Sequence, residues 1–256
     1  MSQLEIYQFP CLGDNYGILI HDAESNLTAA IDTPEAEAIT AALKTKGWTL
    51  THILNTHHHF DHTGGNEALK KETGCQIVGP AEEASRIPGI DIQLKEGDTF
   101  TFGSHVAKIL DTRGHTSGHI SYWFQQDEVI FVGDTLFAMG CGRLFEGTPE
   151  MMWNSLQKIM ELPSDTVIYC GHEYTLGGAE FALSIEPDNE ALNDRYKKVK
   201  QLREDGLPTL PTTLDEEMAT NPFLRPSSLE IQKTLNMVGK TDLEIFTEIR
   251  ARKDNF

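Results

Sequence analysis

No stretch of the chain approaches the roughly 18 consecutive apolar residues that a membrane span needs, and no basic region followed by an apolar run opens it. Neither membrane insertion nor secretion is expected. Cysteine is scarce: Cys11, Cys75, Cys141 and Cys170 are scattered without a C-x-x-C pair, which argues against a disulfide framework or a cysteine zinc finger and points to a reduced, cytoplasmic protein. Positive charge is also short. Against 39 Asp and Glu stand 21 Lys and Arg, a formal net charge of -18, so a polyanion such as nucleic acid is a poor partner unless the basic residues cluster. Repeats, low-complexity segments and a sustained heptad seam are missing too, which removes solenoid and coiled-coil readings and favours a monomer.

What is present is a chain of 256 residues, long enough for one large domain or a main domain with an appendage. Short strands are expected at Leu4 to Phe9, Tyr16 to Ile20, Ile53-Leu54, Gln76 to Val78, Thr99 to Phe102, Val106 to Leu110, Ile120 to Phe124, Val129 to Val132 and Thr166 to Tyr169. Thr33-Pro34 and Thr148-Pro149 each read as an N-cap followed by proline at the first helical position, with Gly47 ending the first of these helices. After Tyr174 the pattern changes. Leu192, Tyr196, Val199 and Leu202 recur at helical spacing and no convincing strand follows; Leu207 to Pro211 is expected to be extended. Thr241 to Glu244 is a capping box opening a last helix with Leu243, Phe246 and Ile249 on its buried side. The expected class is α/β (α+β), with a main domain over 1–174 and a small all-helical domain over 175–256.

The densest chemistry lies in Thr56-His57-His58-His59-Phe60-Asp61-His62. In an extended loop, alternate side chains point the same way. His57 and His59 can then face one metal while Asp61 and His62 turn to a second, with His58 on the opposite face. Imidazole and carboxylate suit zinc, iron or manganese, and the absence of cysteine argues for an open, water-bearing centre. Three more candidates follow apolar runs and abut glycine: His115, Asp134 and His172. Loops at one edge of a sheet converge. The expected assignment is His57, His59 and His115 to one ion, Asp61, His62 and His172 to the other, with Asp134 bridging. Asp32 is read either as a turn residue or as a group orienting a ligand histidine, and His119 as packing or support.

The run Thr56 to His62, with Gly114-His115, Asp134 and His172, resembles the metallo-β-lactamase superfamily. Cys141-Gly-Arg-Leu-Phe-Glu-Gly147, Cys170-Gly-His-Glu-Tyr-Thr175, Asn221-Pro-Phe-Leu-Arg225 and Arg252-Lys-Asp-Asn-Phe256 narrow the likeness to glyoxalase II, the hydroxyacylglutathione hydrolases. The resemblance implies an αββα sandwich of two mixed sheets between helices, followed by a helical C-terminal domain. It also implies two divalent ions, zinc first, with iron or manganese as alternatives. The implied reaction is hydrolysis of S-D-lactoylglutathione to glutathione and D-lactate, by a hydroxide held between the metals, with Asp61 and Asp134 as the catalytic carboxylates.

In that family glutathione is held by the segment Arg143 to Phe145, by Tyr174, and by Arg250 and Lys253. Some relatives carry lysine and tyrosine where this chain has Arg143 and Phe145, so the reach of one cation and one hydroxyl contact differ here. Cys141 and Cys170, though beside site motifs, read as small packing residues. Alternative readings are another thioester or lactone hydrolase, a glutathione persulfide dioxygenase using a single metal, a nuclease of the superfamily, or a metal-binding scaffold without activity.

Overall fold

A computed structural model describes residues 3–256. They fall into two compact units, one comprising the chain up to Asp111 with Ser117–Gly133, the other Thr112–Thr116 with Asp134–Phe256.

The first unit contains a mixed sheet of six strands in sequential order: β1 (Glu5–Cys11), β2 (Asn15–Asp22), β3 (Leu27–Ile31), β4 (His52–Leu54), β5 (Gln76–Pro80) and β6 (Ile92–Leu94). β1, β2 and β3 pair antiparallel and β3 to β6 parallel. Parallel neighbours need long crossovers. Helix α1 (Ala36–Lys46) supplies the first; a single turn α2 (Phe60–Thr63) and helix α3 (Asn66–Thr73) supply the second. Ile39, Leu43 and Leu69 of these helices pack with Leu19, Ala30, Ile53 and Ile77 of the sheet, each fully buried apolar side chain contributing about 1.5–3 kcal/mol. β2 is buried along its whole length, as a strand covered on both faces must be. Four further strands follow as an antiparallel meander: β7 (Thr99–Phe102), β8 (His105–Asp111), β9 (Ile120–Phe124) and β10 (Val129–Gly133).

The second unit holds a hairpin of β11 (Leu136–Phe137) and β12 (Gly140–Cys141), then α4 (Pro149–Met160), β13 (Val167–Cys170), α5 (Thr175–Ile185), α6 (Glu190–Glu204), β14 (Thr212–Thr213), α7 (Leu214–Thr220), α8 (Leu229–Thr234) and α9 (Asp242–Asp254). Thr148 caps α4 through the Met151 N–H with Pro149 at its first turn, and Thr241 with Glu244 forms the full capping box of α9. Leu192 and Val199 of α6 pack against Ala179 and Ala182 of α5.

Several expectations need correction. α1 begins at Ala36 behind Glu35, with no side-chain cap, and not behind Thr33, whose hydroxyl donates to Asn66 Oδ1 at 2.6 Å; Gly47 does end the helix in the left-handed conformation. The region after Tyr174 is not purely helical. β14 pairs with β13 through Val167–Thr213 and Ile168–Thr212, and two residues are too few to show a period. On α9 the buried face is Ile245, Phe246, Ile249 and Arg250, with Leu243 only partly covered. Among the described residues no helix is long and apolar enough to cross a membrane.

Candidate functional site

In the first unit the ligand run starts where β4 ends. It bends at Thr56 and His57, and from Phe60 the chain turns into α2, with the His62 and Thr63 N–H groups donating to the His59 carbonyl. The strict alternation expected for Asp61 and His62 is therefore replaced by a helical turn. The turn does not carry His62 away from His57: their ring centroids lie 4.1 Å apart.

Asp32, just past β3, organises this run. One carboxylate oxygen accepts from the Thr56 N–H at 2.8 Å, and the other from the Thr56 hydroxyl and from His62 Nδ1, both at 2.8 Å. A carboxylate only accepts, so His62 carries its proton on Nδ1 and presents a lone pair at Nε2. Thr56 has then spent its proton, so its oxygen accepts from His57 Nδ1 at 3.0 Å and leaves His57 Nε2 bare. His57 Nε2 lies 3.1 Å from His59 Nδ1. Two nitrogens on one tetrahedral ion at about 2.0–2.1 Å would stand about 3.3 Å apart, so this donor pair fits a shared metal. His62 Nε2 is 3.5 Å from Asp61 Oδ2, and Asn15 Nδ2 donates to Asp61.

His58 faces away from these atoms. Its N–H and Nδ1 both reach Glu83 Oε2, at 2.8 and 2.7 Å, and Glu83 Oε1 accepts from the Gly118 N–H at 2.8 Å. The buried ring of His119 stacks on His57 with centroids 4.9 Å apart. Asn15 and Glu83 were not singled out from sequence, because each is a lone polar residue with no spacing pattern to mark it.

In the second unit His115, Asp134 and His172 come together. His115 Nδ1 donates to the Arg143 carbonyl at 2.8 Å, which directs Nε2 to a point 3.4 Å from Asp134 Oδ2; His172 Nε2 is 3.3 Å from the same oxygen. One carboxylate oxygen thus stands beside two imidazole nitrogens. Asp134 directly follows the last residue of β10, and His172 lies two residues beyond β13, its ring stacked on Tyr174 at 4.6 Å. The approach is close at Gly142, where a Cβ would fall 2.0 Å from the Asp134 carbonyl oxygen.

Arg143 and Phe145 are both 60 % exposed, and Tyr174 is 43 % exposed. Phe145 meets the His115 ring edge-on at 5.3 Å. Arg250 is buried: Nη1 donates to the Cys141 carbonyl at 2.8 Å and Nη2 to Asp254 at 3.0 Å. Lys253 Nζ donates to the Gly177 carbonyl at 3.0 Å and sits 5.1 Å from the ring centres of Phe181 and Phe256. Burial, with Arg250 adding to it, pulls the Lys253 amine below the usual lysine range. All four cysteines are buried and none is in a disulfide. Burial pushes up the thiols of Cys141, against the pull of Arg250, and of Cys170.

Residues 29–172 match the pattern of the "Metallo-beta-lactamase superfamily", and residues 173–256 that of the "Hydroxyacylglutathione hydrolase C-terminus". A protein of Methylococcus capsulatus named "Hydroxyacylglutathione hydrolase" is 53 % identical over 253 residues, covering 99 % of each chain. One of that name from Brucella ovis is 56 % identical over 255 residues, covering 100 % of this chain and 99 % of its own. Among solved structures, ETHE1 from Myxococcus xanthus superposes with a TM-score of 0.67 at 25 % identity, over 97 % of this chain and 98 % of that one.

Proposed function

The chain belongs to the metallo-beta-lactamase superfamily and, within it, to the hydroxyacylglutathione hydrolases, and from that premise we propose that it hydrolyses S-D-lactoylglutathione to glutathione and D-lactate. The observation that carries the reading is a likeness to hydroxyacylglutathione hydrolases that runs through both the metallo region and the C-terminal region, over essentially the whole chain.

The fold and the histidine–aspartate sets support binding of two metal ions; that they are zinc is part of the proposal. In this reading His57, His59 and His115 would hold one ion, Asp61, His62 and His172 the other, and Asp134 would serve both. Bound there, two divalent ions supply a water acidified to a pKa of about 7 and an electrophile for the thioester carbonyl. The chain's own work is to keep the ligands ready. Asp32 and Thr56 hold protons on the outer nitrogens of His62 and His57, and the Arg143 carbonyl does so for His115, so each inner nitrogen is available without deprotonation. Asp61 and Asp134, which only accept, orient the attacking water. The departing thiolate has a conjugate acid near pKa 8.5, so the reaction needs no strong general acid.

Arg143, Phe145, Tyr174 and Lys253 are proposed to receive the tripeptide, with Arg250 beneath them. Arg143 offers a forked donor to a substrate carboxylate, and Phe145 an apolar face without a hydroxyl. The division into a metal-binding part, 1–174, and a substrate-binding part, 175–256, belongs to the same proposal, as do a monomeric state and a cytoplasmic location.

The test is steady-state hydrolysis of S-D-lactoylglutathione by the metal-replete protein, followed by loss of thioester absorbance, beside a simple acyl thioester lacking the tripeptide. A strong preference for the glutathione substrate is expected. Equal turnover would remove glutathione specificity, and turnover of neither would overturn the reading.

A further inference from the structure

Asn15 opens β2, directly after the turn that joins it to β1, and is 5 % exposed. Its side-chain nitrogen donates to Asp61 twice over, to Oδ2 at 3.1 Å and to the main-chain carbonyl at 3.2 Å. Both neighbours are acceptors, so the amide must turn its NH2 group, and not its oxygen, toward them. One side chain from the β1–β2 hairpin therefore fixes Asp61 at its backbone and at its carboxylate together.

Asp61 needs such a hold. Its side chain is 39 % exposed and it sits on α2, a turn of only four residues. The oxygen that Asn15 engages, Oδ2, is the one 3.5 Å from His62 Nε2, and His62 is itself fixed from behind by Asp32. The Asp61–His62 ligand pair is thus set from two sides, by an amide donating to the acid and a carboxylate accepting from the base.

We propose that Asn15 is a positioning residue that sets the Asp61 carboxylate for its metal ion and so governs the affinity of that ion over the other. The inference rests on the metal-dependent reading above. Outer groups that orient a ligand typically account for about 10–100-fold in metal affinity.

The decisive variant is Asn15→Asp, which keeps size and shape but replaces the donating NH2 by an acceptor facing two acceptors. Zinc would be titrated into metal-free protein against a chromophoric chelator, for wild type, Asn15→Asp and Asn15→Ala, and the cobalt(II) forms compared by visible absorption. Wild type should take up two ions. In Asn15→Asp one ion should stay tight while the other weakens by about 10–100-fold, with a change in the cobalt spectrum, and Asn15→Ala should show the same selective loss to a smaller degree. Should Asn15→Asp fail to fold, Asn15→Ala decides alone.

Two unchanged affinities would overturn the inference and leave the hydrolase reading standing. Equal weakening of both ions would overturn it too, because that is the mark of a general loosening. A wild-type protein that takes up no pair of ions would overturn both.

Discussion

The two compact units hold their proposed metal-ligand side chains by different means. In the first, side chains do the holding: Asp32 grips His62 and Thr56, Thr56 grips His57, and Asn15 grips Asp61. In the second, the main chain does much of it. His115 Nδ1 is bound by the Arg143 carbonyl, and the loop carrying it is tied by the Gly147 N–H to the Gly114 carbonyl and the Phe145 N–H to the His115 carbonyl. The Gly142 N–H binds the Thr135 carbonyl in the same manner. A framework of side chains can be altered one atom at a time, whereas a main-chain framework yields only where an added Cβ forces the backbones apart.

The largest break is to remove a proposed ligand outright. Asp134→Ala deletes the oxygen that lies beside both His115 and His172, and activity should fall on the order of a thousandfold or more. Metal content should fall with it; two ions retained at full occupancy would show that Asp134 is not shared. Next comes Gly142→Ala, which attacks the main-chain framework where a Cβ would fall 2.0 Å from the Asp134 carbonyl oxygen. Displacing Asp134 by an ångström should cost about a hundredfold in kcat, with about 1–3 kcal/mol of stability in the metal-free protein. Gly177→Ala in α5 is the control, since a Cβ there meets nothing within 4 Å. It should be neutral or slightly stabilising.

Asp32→Asn tests the side-chain framework. Asp32 has φ +56°, a left-handed conformation that asparagine also tolerates, so the fold should survive. What changes is the acceptor for His62 Nδ1 and the Thr56 hydroxyl. Metal affinity should drop about 10–100-fold in chelator competition. An unchanged affinity would mean that the first unit does not depend on its side-chain braces and that the contrast between the units is false.

That contrast also explains what could be read from the sequence. The run His57 to His62 announces itself because its candidate ligands crowd into six residues, and His115, Asp134 and His172 are visible because each follows an apolar run and touches glycine. The braces are another matter. Asn15 reaches Asp61 across 46 positions and Glu83 reaches His58 across 25, and a single polar residue at such a distance leaves no periodic trace. Asp32 was half legible, as the residue closing a strand, but its partners were not. The main-chain ties of the second unit leave still less, since any residue has an N–H and a carbonyl. Long strands and the capped helices were legible from pattern and capping chemistry, while β14 and α2 were too short to declare themselves.

Lys253 gives a smaller, pH-dependent effect in the second unit. Burial, then Arg250, lowers the proton affinity of its amine, so its charge is lost at a lower pH than that of an ordinary lysine. If the ammonium helps hold a substrate carboxylate, KM should rise toward alkaline pH in wild type before the usual lysine range is reached. Lys253→Arg keeps its charge there and should flatten that part of the profile. Steady-state KM between pH 7 and 10 checks it, and the difference between the two proteins cancels titration of the substrate itself. Identical profiles would remove Lys253 from the proposed contacts.

The smallest effect belongs to Cys170, which sharpens the comparison by its expected silence. It ends β13, two residues before His172, and its thiol lies 3.5 Å from the His172 carbonyl, so by position it could brace the main chain at that residue. Its chemistry says otherwise. Burial drives the thiol far above its ordinary pKa, which removes the thiolate that nucleophilic or metal-binding sulfur requires, and a thiol is a weak donor to a carbonyl that has its own place in the chain. If the main chain positions the ligands of the second unit, Cys170→Ala should cost about 1 kcal/mol of stability through lost packing and leave kcat within about twofold, where Asp32→Asn in the first unit does not leave metal affinity intact. Thermal melting of the metal-free protein and steady-state turnover measure the two quantities separately. A fall in kcat of tenfold or more with unchanged melting would place a side-chain brace in the second unit after all, and the distinction between the two frameworks would fail at that point.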